Sequence, residues 1–295
     1  MGGGAPSDQA PEERRARARS LLRTLRRNPR LAVGLGIVSV VALLAILAPW
    51  IAPYNPIEAH AGDALLPPSG EYWLGTDRSG MDILSRLIYA PRIDLTIGVA
   101  ATLLAIGIGT PIGVMSGYYR NPLSEVTMRI ADLLQSFPVF VLGMGLVVLT
   151  GQRIENVVLA IAIVNAPVYA RLVRSQAAYV KGRLFIEAAK ASGASDRAIV
   201  FRHLLPNSSG PIFAMSSVTM GTAMLLTAGL SFIGAGVRVP TPEWGAMIAV
   251  GASSLLESGI WWPSVFPGLM LSLTVMGFGL VGDSLAEITD PRRRR

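Results

Sequence analysis

Six stretches of this 295-residue chain run almost without charge for about the length a helix needs to cross a bilayer, roughly 20 residues. They are 31–52, 93–117, 133–151, 156–170, 209–233 and 263–282, and the only charged side chain in any of them is Asp94, at the mouth of the second. Lipid offers no partner to a backbone N–H or C=O, so each stretch must satisfy its own and is expected to be a helix. Internal prolines such as Pro111, Pro138 and Pro167 predict kinks rather than breaks. The first stretch has a basic flank like that of a signal peptide, but it is longer than a signal's apolar core and a polytopic chain follows it. It is therefore expected to remain as the first of six transmembrane helices in an all-α membrane protein.

Composition agrees. Only 15% of residues are charged and 51% are hydrophobic, against about 25% charged in a soluble domain, which excludes an ordinary soluble enzyme and a disordered chain. The net charge of +7 has a topological explanation. With the N-terminus inside, 21 of the 26 Lys and Arg fall in inner segments and five (Arg78, Arg86, Arg92, Arg153 and Arg238) in outer ones. That asymmetry predicts both termini in the cytoplasm and removes any need for nucleic acid as a partner. The expected organisation is a basic cytoplasmic tail over 1–30, a first helix over 31–52 and an extracytoplasmic loop over 53–92. A five-helix core over 93–283 and a cytoplasmic tail over 284–295 follow. Within the first tail, residues 1–10 read as disordered and 14–30 as a solvated positive stretch, with a surface helix on anionic lipid as the alternative.

Several chemistries can be set aside. No span has an ionisable group near its centre, which argues against ion coupling and voltage sensing. The only histidines are His60 and His203, both outside the spans, so there is no intramembrane metal cluster and no base for a membrane serine nucleophile. The chain has no cysteine. Its two lysines, in Val180-Lys181-Gly182 and Ala189-Lys190-Ala191, do not form a P-loop. A solute pathway in this chain is then either a passive channel or a subunit driven by a partner.

The longest inner loop between spans is built to meet something. Residues 183–192 are good helix formers, Gly193 is placed to end the helix in a left-handed turn, and Ser195 is placed to cap a second one with Asp196 in its first turn. The second helix is expected over 198–205, ended by Pro206. Ala188 and Ala189 give a small-residue face that lets another surface approach.

Glu187-Ala188-Ala189, three residues, Gly193, nine residues, His203, and then Leu205-Pro206 resemble the EAA motif of ABC importer permeases, with His203 in place of the usual Ile. Phe201-Arg202-His203-Leu204-Leu205-Pro206-Asn207 is similar to the form found in the dipeptide/oligopeptide/nickel branch. The resemblance continues through Leu74-Gly75-Thr76-Asp77, Gly80, Asp82 and Ser85-Arg86, where Met81 replaces a usual Arg. It extends to Ser231–Gly236, Pro240–Gly245, Phe266–Gly268 and the ending Gly282-Asp283 to Asp290-Pro291-Arg292.

The resemblance implies the shorter permease chain of a type I ABC importer, with a second permease subunit, two ABC ATPase subunits and an extracytoplasmic solute-binding protein as partners. It implies no catalysis and no cofactor in this chain, with ATP and Mg held by the ATPase subunits. The membrane is expected to be a bacterial cell membrane and the solutes di- or oligopeptides, with nickel, oligosaccharides and opine-like solutes also within the branch. A partner-independent channel or facilitator is the alternative.

The coupling helix is expected within a loop over 175–207, with Glu187, Ala188, Ala189, Gly193, His203, Leu205 and Pro206 meeting an ATPase subunit. Asp77, Asp82, Arg86, Arg92 and Trp244 are candidates for docking the binding protein or gating, against an internally paired loop for the charges and interfacial anchoring for Trp244, Trp261 and Trp262. Polar groups within spans, chiefly Gln135, Asn165, Ser217 and Thr222, with Ser216, Thr219, Ser272 and Thr274, are candidates for the solute path. Ala101, Ala105, Gly109, Gly113 and Gly117, four apart, read as a packing stripe in the second span.

Overall fold

The computed structural model describes residues 25–119 and 121–289. The expected N-terminal tail up to residue 24 and the ending from residue 290 lie outside the described residues. The described chain is nearly all helix: α1 (Pro29–Ile51), α2 (Ile83–Tyr119), α3 (Pro122–Ser136), α4 (Val139–Thr150), α5 (Ile154–Lys181), α6 (Leu184–Ala191), α7 (Asp196–Ile199), α8 (Leu205–Phe232), α9 (Trp244–Ser258) and α10 (Trp262–Thr289). Among the described residues, five spans are long and apolar enough to cross a membrane, one of them running from α7 through α8. The count is six if the bent pair α3–α4 is one span.

Pro29 sits in the first turn of α1, where its missing N–H costs nothing. Much of α1 is apolar and turned outward, including Val40, Leu43 and Ile46, as suits a helix bathed in lipid. Its inner edge meets α10 through glycines: a Cβ on Gly34 would stand 2.8 Å from the Gly277 carbonyl oxygen.

Helix α2 starts at Ile83 rather than at residue 93 and has 37 residues, about 55 Å at 1.5 Å per residue. It therefore outruns a hydrocarbon core of about 30 Å at both ends. Arg86 and Arg92 lie on this helix and not in a loop, because charge ends the apolar stretch without ending the helix. The small-residue stripe packs on α5: Cβ atoms added at Gly113 and Gly117 would stand 2.5 Å from the Ala170 carbonyl oxygen and 2.6 Å from Ala177 Cβ. Backbone meets backbone there, the arrangement lipid-embedded helices use in place of a hydrophobic driving force.

The third span departs from expectation. Pro138 breaks it: α3 and α4 meet at 96°. Proline disfavours the helical region for the residue before it, and Phe137 is extended, with φ −77° and ψ 141°. Pro206 departs in the other direction. It stands in the first turn of α8, and the helix continues through it. The turn over Val200–Leu204 is widened, and the Leu205 N–H reaches back five residues to the Val200 carbonyl, which makes room for a ring that would clash in a regular helix. The stretch between the fifth and sixth apolar spans also contains a helix, α9, and α10 runs to Thr289, past the expected end of the core at residue 283.

Among the described residues the core has three parts. One, around Tyr118, Tyr169, Val173, Val180, Ile186, Ile199 and Leu204, lies at the basic side, where α6 is. A second joins α2, α4, α5 and α8 around Ile97, Val147, Ile161 and Leu230. The third, around Ile83, Met224, Trp244 and Leu271, lies toward the opposite side.

Candidate functional site: the α6 loop and the opposite cap

At the basic side the loop folds as two short helices about a glycine turn. Ile186 is fully buried, against Val180, Ile199 and Leu204, and that one apolar anchor fixes how α6 lies. Most of the rest of α6 faces outward: Leu184 is 82% exposed, Phe185, Glu187 and Ala188 are also exposed, and Ala189 is half-buried. Gly193 adopts φ +80°, the left-handed conformation that ends the helix, and the Ala194 N–H closes back on the Ala189 carbonyl at 3.0 Å. Ser195 Oγ accepts the Ala198 N–H at 3.3 Å and starts α7. The His203 ring lies 6.3 Å from that of Phe185. Leu205 is half-buried and Pro206 exposed. The loop thus turns Leu184 and Ala188 outward, with Phe185 and Glu187 on either flank.

The loop is tied to α2 at one residue that sequence reasoning did not single out. The Tyr118 hydroxyl donates to Asp196 Oδ1 at 2.5 Å. Lys181 Nζ donates to the Tyr118 carbonyl at 2.5 Å. Lys181 and Lys190 place their ammonium groups 5.0 and 5.6 Å from the centre of the Tyr118 ring. Beside it, Arg171 and Arg174 of α5 pair with Asp132 at 2.9 Å and Glu125 at 2.8 Å on α3.

The opposite side carries a cap made from the segment between α1 and α2, the α8–α9 connection and α9. Arg86 is its hub, only 2% exposed. Its guanidinium donates to the Pro56 carbonyl at 2.9 Å and the Pro240 carbonyl at 3.0 Å, and it lies 3.6 Å from Asp77. Asp77 in turn accepts the Ser79 and Met81 N–H groups at 2.8 and 3.1 Å. Asp82 accepts both the N–H and the hydroxyl of Ser85, at 2.8 and 2.6 Å, and so caps α2. Arg78 crosses to α9, where it reaches Ser254 Oγ at 3.0 Å and pairs with Glu257. Tyr72 donates to Asp63 at 2.9 Å, and that hydrogen bond to a carboxylate pushes its phenol up to about 12.

These positions correct the docking expectation. Asp77, Asp82, Arg86 and Trp244 are buried, and the three charged side chains bond the chain's own atoms, so none offers its side chain to a partner directly. Arg92 is exposed, its guanidinium 5.9 Å from the Tyr89 ring centre. Trp244 is no interfacial anchor either: it is 0% exposed, in the core. Trp261 is exposed and Trp262 half-buried.

The spacing also gave no hint that Asp94 meets Glu243. Both are fully buried and both hold backbone N–H groups at the start of α9. Glu243 caps α9, accepting the Gly245 and Ala246 N–H groups, each at 2.7 Å, while Asp94 accepts the Trp244 N–H at 3.3 Å. The available signal was that a lone acid in a span needs a partner.

The solute-path candidates lie on four helices, α3, α5, α8 and α10. Asn165 and Thr222 bond their own helices, to the carbonyls of Ile161 at 2.9 Å and Thr219 at 3.1 Å. Ser217 reaches from α8 to the Phe278 carbonyl of α10 at 2.7 Å. Ser216, Ser272 and Thr274 likewise bond carbonyls of their own helices, and Thr219 accepts the Tyr169 hydroxyl at 3.0 Å. Gln135 is half-buried beside the α3–α4 break.

Comparison with known proteins agrees with this architecture. Residues 109–295 match the family described as binding-protein-dependent transport system inner membrane component. Residues 17–68 match the N-terminal TM domain of oligopeptide transport permease C. The chain is 36% identical to the dipeptide transport system permease protein DppC of Alkalihalophilus pseudofirmus, over 98% of this chain and 95% of the relative. It is 37% identical to the probable D,D-dipeptide transport system permease protein DdpC of Escherichia coli, over 91% and 89%. It is 38% identical to the glutathione transport system permease protein GsiD of Pectobacterium atrosepticum, over 92% and 89%. Among solved structures, the inward-facing MetNI methionine ABC transporter shares the fold with a TM-score of 0.56 at 19% identity, covering 70% of this chain and 98% of that one. A multi-pass helical chain with these matches along its length belongs to the family of inner membrane components of binding-protein-dependent transport systems.

Proposed function

We propose that this chain is the permease subunit of an ATP-driven importer that moves di- or oligopeptides across the bacterial cell membrane, with both termini and the α6 loop in the cytoplasm. The observation that carries the reading is α6 itself. It is pinned by Ile186 and turns Phe185, Glu187 and Ala188 outward on the side where Lys and Arg concentrate. A short, rigidly seated helix with a small-residue face fits a cleft on another protein. An ATPase subunit is the partner that supplies the energy this chain lacks.

Glu187, Ala188, Ala189 and Gly193 are the docking residues in this reading, with His203, Leu205 and Pro206 setting the return of the chain into α8. ATP and Mg belong to two ATPase subunits. A second permease chain completes the pathway, and an extracytoplasmic binding protein delivers the solute to the cap. The relatives' names each refer to a small peptide, which supports peptides as the solute class.

The test is to tag the chain, solubilise it gently from its native membrane and identify by mass spectrometry what co-purifies. Recovery of a second permease and ATPase subunits is expected. Repeated recovery of this chain alone, in a detergent that preserves known complexes, would replace the importer with a partner-independent facilitator.

A further inference from the structure

We propose that Tyr118 is the joint that fixes the α6 loop to α2, a positioning residue through which displacement of α6 becomes displacement of α2. The proposal deepens the importer reading and rests on it.

Three parts of the loop converge on this one side chain. Asp196, at the start of α7, receives the phenol hydrogen at 2.5 Å. Lys190, in the last turn of α6, and Lys181, in the last turn of α5, stand over the ring. Lys181 also holds the backbone carbonyl of the same residue. The ring is buried and packs in the same cluster as Ile186 and Ile199. An aromatic face attracts cations through its quadrupole, and a hydroxyl giving its proton to a carboxylate makes a short, strong bond. The residue therefore grips groups of opposite charge with different parts of itself.

What Tyr118 is attached to matters as much. One residue earlier, Gly117 lies directly on α5, with room for no side chain between it and Ala177 or the Arg174 carbonyl. The end of α2 is thus locked sideways to α5 while its tyrosine holds the loop. Helix α2 continues as one helix, through Pro111 and Pro91, to Ile83, and Arg86 and Asp94 join it to the cap. A push on α6 at one end of this rod is delivered to the other through Tyr118.

The experiment uses the full chain and has two arms. The native sequence has no cysteine, so Ser192→Cys gives a single site for a spin label on the exposed side of the loop. In the first arm, label mobility is measured for the chain in lipid. Tyr118→Phe, which keeps the ring and removes only the hydroxyl, and Asp196→Asn should each raise mobility, and the double variant should do no more than either single one. In the second arm, ATP hydrolysis by the reconstituted complex is measured with and without its binding protein. The stimulation ratio should fall severalfold in Tyr118→Phe and Asp196→Asn, with Asp196→Glu retaining most of it.

Unchanged mobility overturns the joint whatever the chain's function. Raised mobility with an unchanged stimulation ratio shows a contact that transmits nothing and equally overturns the proposal. Failure of the wild-type chain to assemble with an ATPase overturns the importer reading, and the transmitting role with it, while the mobility arm still decides whether the contact exists.

Discussion

Gly113 lies so close to α5 that a methyl group on its Cα would stand 2.5 Å from the carbonyl oxygen of Ala170. Gly113→Ala must push the two helices apart, and overpacking of this kind costs about 1–3 kcal/mol. Gly107, on the same helix, has open space within 4 Å of where such a methyl group would stand. The melting temperature of the detergent-solubilised chain should fall clearly for Gly113→Ala and hold for Gly107→Ala. Equal behaviour of the two would show that the close approach is not what holds α2 to α5.

Glu187 and Gly193 should fail in different ways. Glu187 is exposed, so Glu187→Arg should leave the chain's melting temperature unchanged and abolish binding-protein-stimulated ATP hydrolysis in the reconstituted complex. Gly193 has φ +80° with open space around it. The cost of Gly193→Val is therefore backbone strain, about 1–3 kcal/mol, and the variant should lose stimulation by reshaping the turn. Normal stimulation in both variants would remove this loop from the coupling pathway.

Arg86 satisfies two backbone carbonyls and one carboxylate in a buried setting. Arg86→Ala strands Asp77, and removing one partner of a buried pair costs about 3–5 kcal/mol. Limited proteolysis of the segment between α1 and α2, in vesicles that expose the cap, should quicken severalfold. Wild-type resistance in Arg86→Ala would show that the cap is held by other contacts.

Glu243 holds the first N–H groups of α9. Replacing such a cap with alanine costs about 0.5–2 kcal/mol. In hydrogen exchange, the Gly245 and Ala246 amides should lose protection in Glu243→Ala while amides in the middle of α5 keep theirs. Uniform loss across the chain would point to global destabilisation instead.

What could be read from residues alone was local or periodic. The apolar stretches mark spans because hydrocarbon thickness sets their length. Gly193 and Ser195 announce a turn and a cap because each acts on its own backbone. Arg86, Asp94 and Trp244 could not be placed that way. Arg86 meets Pro240, Asp94 meets Glu243, and Trp244 packs in the core with Ile83. These partners are far apart along the chain, and no spacing records such a meeting. Pro138 and Pro206 show the same limit within a helix. One breaks a span and the other is absorbed in a widened turn, and the difference lies in what the flanking backbone can bond to. Tyr118 escaped notice because a tyrosine at the end of a span reads as an ordinary interface residue until its three partners are seen around it.

The bend at Phe137–Pro138 carries a requirement about solvent. Helix α4 has 12 residues, about 18 Å at 1.5 Å per residue, too short to cross hydrocarbon alone. Counted with α3 as one span, it puts the break at membrane depth. Its first turn has no side-chain cap, and the N–H groups of such a turn have no acceptor within their own helix. Hydrocarbon cannot meet that need, and backbone of this kind is tolerated in a bilayer only inside protein or beside a water-filled space. The bent span thus requires either a covering protein surface or water beside it, and Gln135 stands at its edge.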